Sequence, residues 1–529
     1  MCSVNATAAR WQTRPVRTLY VNGRIHAECA DRATALLVDD GAISWIGRDD
    51  SGRRDAGTEV VDLGGGLVTP AFVDAHVHAT STGLALTGLD LGGVTSLREV
   101  LDAVESASRR GRGRPILGSG WDETGWPEGR PPTSAELDRA AYGGSVYLSR
   151  VDVHSAVVSS VLAAAVPGVS RMTGFRADGW LSRDAHDAVR RAAHSSLDAG
   201  RIRAAQRAAL RRAASLGIAC VHEMAGPSIS SADDLAGLLA LAREESLPEV
   251  VGYWGELLGI DTARELGAAG AGGDLFCDGS LGSHTAALHA PYDDRPDTSG
   301  GLRFDTAELA EHVVRCTEAG LQAGFHAIGD AAVDQVLDAL DMAAAHLGQV
   351  RRAGHRIEHA EMVADPSRLA ASGLTASVQP VFDATWGGAS GMYAARLGRA
   401  RARTLNRFRA LEDAGVPMAF GSDSPVTPVG PWSAVRAAAY PRDADAAISP
   451  EVAFAAHTSG GWRAARRSGE GILAPGAPAT FAVWATEAAE AVSGLPDISP
   501  GRPLPACRRT VLRGAAIFAA EVDGDRGAG

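Results

Sequence analysis

Short apolar runs alternate with stretches of helical period from about residue 68 to about residue 469, and on either side of that span the chain reads as strands and turns. Ala35-Leu-Leu-Val-Asp and Ala42-Ile-Ser-Trp-Ile flank Asp40-Gly41, a pair suited to the positive φ angles of a two-residue hairpin. Thr18-Leu-Tyr-Val precedes them, and Glu59-Val-Val-Asp-Leu follows before a break at Gly64-Gly65-Gly66. Thr480-Phe-Ala-Val-Trp, Arg509-Thr-Val-Leu-Arg and Ala516-Ile-Phe repeat the same texture near the other end. Residues 1–67 and 470–529 are therefore expected to build one small β-sandwich domain together, with a frayed tail from about residue 522.

Inside the central span the candidate strands are 72–77, 115–118, 146–149, 219–222, 250–254, 274–277, 323–326, 356–359, 375–378 and 418–421. Helical stretches fall at 192–216, 306–318, 331–347 and 433–439. Repeated β–α units over this length fit a closed (β/α)8 barrel better than an open sheet. The α/β architecture expected is a (β/α)8 TIM-like barrel over 68–469 with the small sandwich attached. More than eight strand candidates require an insertion, placed at about 98–188.

Composition narrows the function. A formal charge of −12 over 529 residues disfavours nucleic acid as a partner. No apolar run reaches membrane-spanning length, and Met1 to Arg17 is polar without a signal-peptide core, so a cytoplasmic location is expected. Six cysteines are scattered without CxxC spacing and read as reduced thiols. All 51 Lys+Arg positions are Arg, which excludes lysine Schiff-base chemistry and a Walker A loop.

The residues that could carry chemistry stand at the ends of the apolar runs. His76 and His78 are at i and i+2 on a candidate strand, so both rings share one face and can reach one metal ion. His326, His359 and Asp423 each end a later run, where barrel active sites collect.

With Val73-Asp-Ala-His-Val-His, Gly120-Trp-Asp-Glu, Asp278-Gly-Ser-Leu-Gly-Ser, Phe325-His-Ala-Ile-Gly-Asp, Arg356-Ile-Glu-His-Ala and Gly421-Ser-Asp-Ser-Pro in this order, the chain resembles the amidohydrolase superfamily, specifically its YtcJ-like branch, from about residue 20 to 485. The resemblance implies a metal-dependent hydrolase of a small-molecule substrate, holding one or two divalent ions, zinc first among them; homodimers are common among related proteins. It implies that His76 and His78 bind the more buried ion. His326 and His359 would bind a second ion or orient the attacking water, and Asp423 would touch metal and water and shuttle the proton. Members of the branch often carry Lys-x-x-x-Asp-Gly where this chain has Asp274-Leu-Phe-Cys-Asp278-Gly279, and that lysine can be carboxylated to bridge two metals. Asp274 stands in its place with a shorter side chain. A carboxylate-bridged pair, a single-metal site and a degraded site all stay open.

Asp278 shares the strand face of Asp274 and is expected to hold a histidine ring from behind. Trp121, Asp122, Arg150, His154, Gln379 and Trp386 are candidates for the substrate pocket, as is His284, which replaces an arginine common in the branch. The reaction implied is cleavage of a non-peptide C–N bond, in an N-formyl or other N-acyl amine or a cyclic amide. The alternatives are a mononuclear deaminase of an aminated heterocycle and a catalytically inactive small-molecule binder.

Overall fold

The computed structural model describes residues 17–520 apart from 28, 30–31, 50–56, 112, 152–154 and 486–493. Its centre is an eight-stranded parallel barrel, β1 (Phe72–Val77), β2 (Ile218–Ala225), β3 (Glu249–Trp254), β4 (Gly270–Ala271), β5 (Gln322–Ala327), β6 (Arg356–His359), β7 (Thr375–Val378) and β8 (Met418–Phe420), paired in chain order. A parallel bridge between Val77 and Ser424 closes β1 onto the chain just beyond β8. Nearly every barrel-strand residue is buried, which is why these strands read as continuous apolar runs rather than alternating ones.

The seven other barrel-strand expectations fall on ladder strands, but 274–277 does not: the β4 ladder ends at Ala271. Pairing with β5 resumes only at Phe276, opposite His326. Ala271 pairs with Ala323, so five steps along β4 face three along β5, and two residues are extra. The bulge holds Gly272 at φ 143° and Gly273 at φ 84°, conformations that a side chain would strain.

Helix Ala79–Thr87 leaves β1, and helix Ala199–Ser215 packs against it before leading into β2. Between them lies the insertion, a five-stranded sheet in the order Trp180–Ser182, Ser155–Val158, Val146–Arg150, Ile116–Trp121, Leu89–Asp90. It opens at Leu89, nine residues before the expected 98, on a two-residue strand too short to read as one. The strands expected at 115–118 and 146–149 belong here, not to the barrel.

The terminal segments form two sheets. Ala42–Gly47, Ala35–Asp39, Thr18–Val21 and Glu59–Asp62 make one, and Arg24–Ile25, Leu67–Pro70, Phe481–Ala485, Ala506–Leu512 and Ala515–Ala519 make the other, so both ends of the chain contribute to the second. Tyr20, Leu36, Ile43, Val68, Phe481 and Val511 share the core between them, with Tyr20 edge-on to Phe481 at 5.1 Å. Asp40 at φ 47° and Gly41 at φ 76° turn the hairpin. No helix among the described residues is long and apolar enough to cross a membrane.

Candidate active site

Six side chains expected from the sequence converge where the barrel strands end. Period two along β1 puts Asp74, His76 and His78 on one face. His326 comes from β5, His359 ends β6 at φ 69°, Asp423 follows β8 at φ 53°, and Asp274 follows the β4 bulge.

Asp274 is the hub. Its Oδ2 lies 3.4 Å from His76 Nε2 and 3.2 Å from His78 Nε2, and its Oδ1 lies 3.3 Å from His326 Nδ1 and 3.4 Å from His359 Nε2. Asp423 Oδ1 approaches the first pair, at 3.1 Å from His78 Nε2 and 3.5 Å from His76 Nε2.

Each ring is also held from behind. His76 Nδ1–H donates to Glu358 Oε2 at 3.0 Å and His78 Nδ1–H to the Met224 carbonyl at 2.9 Å. His359 Nδ1–H donates to Gln379 Oε1 at 2.9 Å, while His326 turns the other way and directs Nε2 at the Gly279 carbonyl at 3.3 Å. With one nitrogen of every ring committed to an acceptor, the other is left as a lone pair facing Asp274, as ligation requires.

The two aspartates also favour charge on the rings they face, so an ion bound there would displace protons. Burial works against charge on His78, yet hydrogen bonds and the charges of Asp274 and Asp423 raise it to about 10. Burial would also raise the Asp274 carboxyl, but the surrounding histidines hold it well below the usual range. Glu358 is fully buried, and the charge of Arg356 with the His76 hydrogen bond holds it at about 2 against that burial. Arg356 grips Glu358 at 2.7 and 3.0 Å and also bonds the Ala75 carbonyl and His222 Nδ1.

The donor set fits a metal. His76 Nε2, His359 Nε2 and Asp423 Oδ1 are buried without a hydrogen-bond partner. His76, His78 and Asp423, and likewise His76, Asp274 and His359, bring ligand atoms within 4.8 Å of one another. Mixed imidazole and carboxylate donors suit zinc and other first-row divalent ions.

The amidohydrolase family model matches residues 59–518. The chain belongs to this family. This amidohydrolase is 28% identical to YtcJ of Bacillus subtilis strain 168, over 78% of its own length and 81% of YtcJ, which places it in the YtcJ-like branch. It is 24% identical to the N-substituted formamide deformylase of Arthrobacter pascens, covering 87% of this chain and 92% of that one. An uncharacterized metal-dependent hydrolase from Pyrococcus furiosus superposes with a TM-score of 0.73 at 29% identity, covering 88% of this chain and 98% of the other.

Several expected roles change. Trp121 is fully buried in the insertion core and its indole N–H donates to the Leu148 carbonyl, so it packs rather than lines a pocket. Arg150 is paired with Asp122 at 2.8 Å and Glu123 at 3.0 Å, a clasp within the insertion. Gln379 Oε1 accepts from His359 Nδ1 and so holds that ring. His284 Nε2 faces Asp294 at 3.0 Å, and Asp294 is also held by Arg396, tying the loop after β4 to helix Met392–Ala402. Asp278 sits 3.7 Å from His326 Nε2, but its oxygens accept backbone N–H groups from Ala287, Ile328 and Gly329; its main work is to pin those loops. Trp386 packs edge-on against Phe382 and Tyr393. His154 lies outside the described residues. Glu358 and Arg356 were not foreseen as ring-holding groups; the available signal was two opposite charges at i and i+2 on a four-residue strand that is buried throughout.

Proposed function

We propose that this amidohydrolase cleaves a non-peptide C–N bond of a small N-formyl or N-acyl amine, or of a cyclic amide, with zinc as the expected ion. The observation that carries the reading is the ring of four histidines, each anchored from behind, around Asp274 with Asp423 beside them. Its long similarity to a protein named as an N-substituted formamide deformylase favours an amide over an aminated ring.

His76, His78, His326, His359, Asp274 and Asp423 would hold the ion or ions. A divalent ion held there supplies a Lewis acid and brings the pKa of water down to about 7. Asp423 is the carboxylate fitted to move the proton. Its backbone N–H donates to the His76 carbonyl at 2.8 Å, which fixes its place, while Oδ1 keeps no hydrogen-bond partner. It takes the proton from the attacking water and delivers it to the leaving nitrogen. His326 or His359 stabilises the developing oxyanion when not engaged as a ligand.

A panel of N-formyl amines, other N-acyl amines and cyclic amides, run beside aminated heterocycles, tests the reading. Carboxylic acid released from the acyclic amides, or ring opening to an amino acid from the cyclic ones, is expected. Ammonia released only from the second would replace it with a deaminase.

A further inference from the structure

We propose that the Asp274 carboxylate bridges two metal ions, one per oxygen, so that this chain builds a two-ion centre entirely from unmodified side chains. The inference rests on the metal-dependent reading above and goes beyond it by assigning ion number, bridging group and route of assembly.

The donors divide between the two carboxylate oxygens. Asp274 Oδ2 faces His76 and His78, which also share Asp423 Oδ1, and Asp274 Oδ1 faces His326 and His359. A carboxylate can hold one ion with a single oxygen and leave the other to ordinary hydrogen bonds. Here each oxygen serves a different pair, from opposite sides of the barrel.

The backbone that carries Asp274 is shaped for this reach. An aspartate side chain is short, so the main chain must bring it inward. The two-residue bulge does this between the Ala271–Ala323 and Phe276–His326 pairings. Both positions favour glycine. A Cβ on Gly272 would stand 2.2 Å from Gly324 N, and one on Gly273 would stand 2.5 Å from Met224 Sδ. Both also have φ values that L side chains rarely adopt. Bulges of this kind re-aim a side chain next to active sites. Gly272-Gly273-Asp274 is thus one device: two residues without side chains that let the third reach four imidazoles.

With no lysine anywhere, no lysine carbamate can form the bridge. Assembly of the pair therefore needs no carbon dioxide.

The test is reconstitution of the chelated full chain with Mn(II), in carbon-dioxide-free buffer and again with bicarbonate. Ions per chain are counted by elemental analysis and Mn–Mn exchange coupling is read by electron paramagnetic resonance. Two coupled ions per chain, equal with and without bicarbonate, are expected, falling to one uncoupled ion in Asp274→Asn. One ion in the parent, two uncoupled ions, or a second ion that appears only with bicarbonate overturns the proposal. Should Asp274→Asn fail to fold by circular dichroism, the parent's stoichiometry and coupling decide alone. A parent that hydrolyses amides with one ion removes the bridge and leaves the hydrolase reading standing. Two coupled ions in a chain that turns over no amide does the reverse.

Discussion

Glu358 Oε2 accepts the Nδ1 proton of His76 at 3.0 Å, and it does so as a carboxylate that Arg356 keeps charged in a fully buried place. The bond fixes the His76 tautomer, because a proton on Nδ1 leaves Nε2 as the lone pair facing Asp274 and Asp423. One ligand candidate is therefore set by two residues on a strand across the barrel.

Replacing Glu358 with Gln should weaken metal binding about 10- to 100-fold, the usual effect of losing such an outer partner. It also leaves Arg356 buried without its counter-charge, which costs about 3–5 kcal/mol. Chelator competition gives the first value and denaturant unfolding the second. Unchanged metal affinity would show that Glu358 serves the fold alone.

Asp423→Asn keeps shape and removes the proton carrier. The turnover of the amide identified by the panel should fall by about 10²- to 10⁴-fold, the range for a positioned general base or acid. The parent's pH–rate profile should lose its acidic limb in the variant. A variant with parental turnover would take Asp423 out of proton transfer.

His355 offers a pH test away from the site. Its Nδ1 accepts the Ala323 N–H at 2.8 Å and Nε2 meets Thr317 Oγ1 at 2.9 Å, an arrangement suited to the neutral ring. Burial, with the Arg466 charge, depresses its pKa to about 4. The unfolded chain takes up this proton near pH 6.5 and the fold refuses it until about 4. Its stabilisation is therefore present above 6.5 and lost as pH falls through that window. The cost of His355→Gln should shrink by roughly 2 kcal/mol between pH 7.5 and pH 5, at about 1.4 kcal/mol per unit. Equal costs at both values, from denaturant unfolding, would contradict this.

Much of the barrel was legible because its strands are buried on both faces and end in chemically unusual residues, as with Val73 to His78 and Arg356 to His359. The β4 region was not. Gly272-Gly273 reads equally as a turn, and only the shifted pairing of Phe276 with His326 shows that the two glycines lift Asp274 out of the ladder. Asp278 misled because period two holds only along a strand, and beyond Ala271 the chain makes a single bridge at Phe276 before it leaves the sheet, so Asp278 caps loops instead. Trp121 followed a strand as a pocket residue would, but that strand belongs to the insertion, whose core claims the indole.

The bulge itself can be tested by glycine replacement. Gly272→Ala meets the backbone nitrogen of Gly324, and Gly273→Ala meets the movable Met224 side chain. Strained backbone of this kind costs about 1–3 kcal/mol. The Gly272 variant should lose more stability and more bound metal than the Gly273 variant. The opposite order, by thermal melting and elemental analysis, would mean that Met224 has no room to yield.

The most direct measurement is acid release from N-formyl and N-acyl amines by the chelated chain before and after zinc is returned. No release is expected without metal, and formate or carboxylate equal to the amine freed is expected with it. Metal-loaded protein that frees only ammonia from an aminated ring, or that turns over nothing in either panel, would contradict the account.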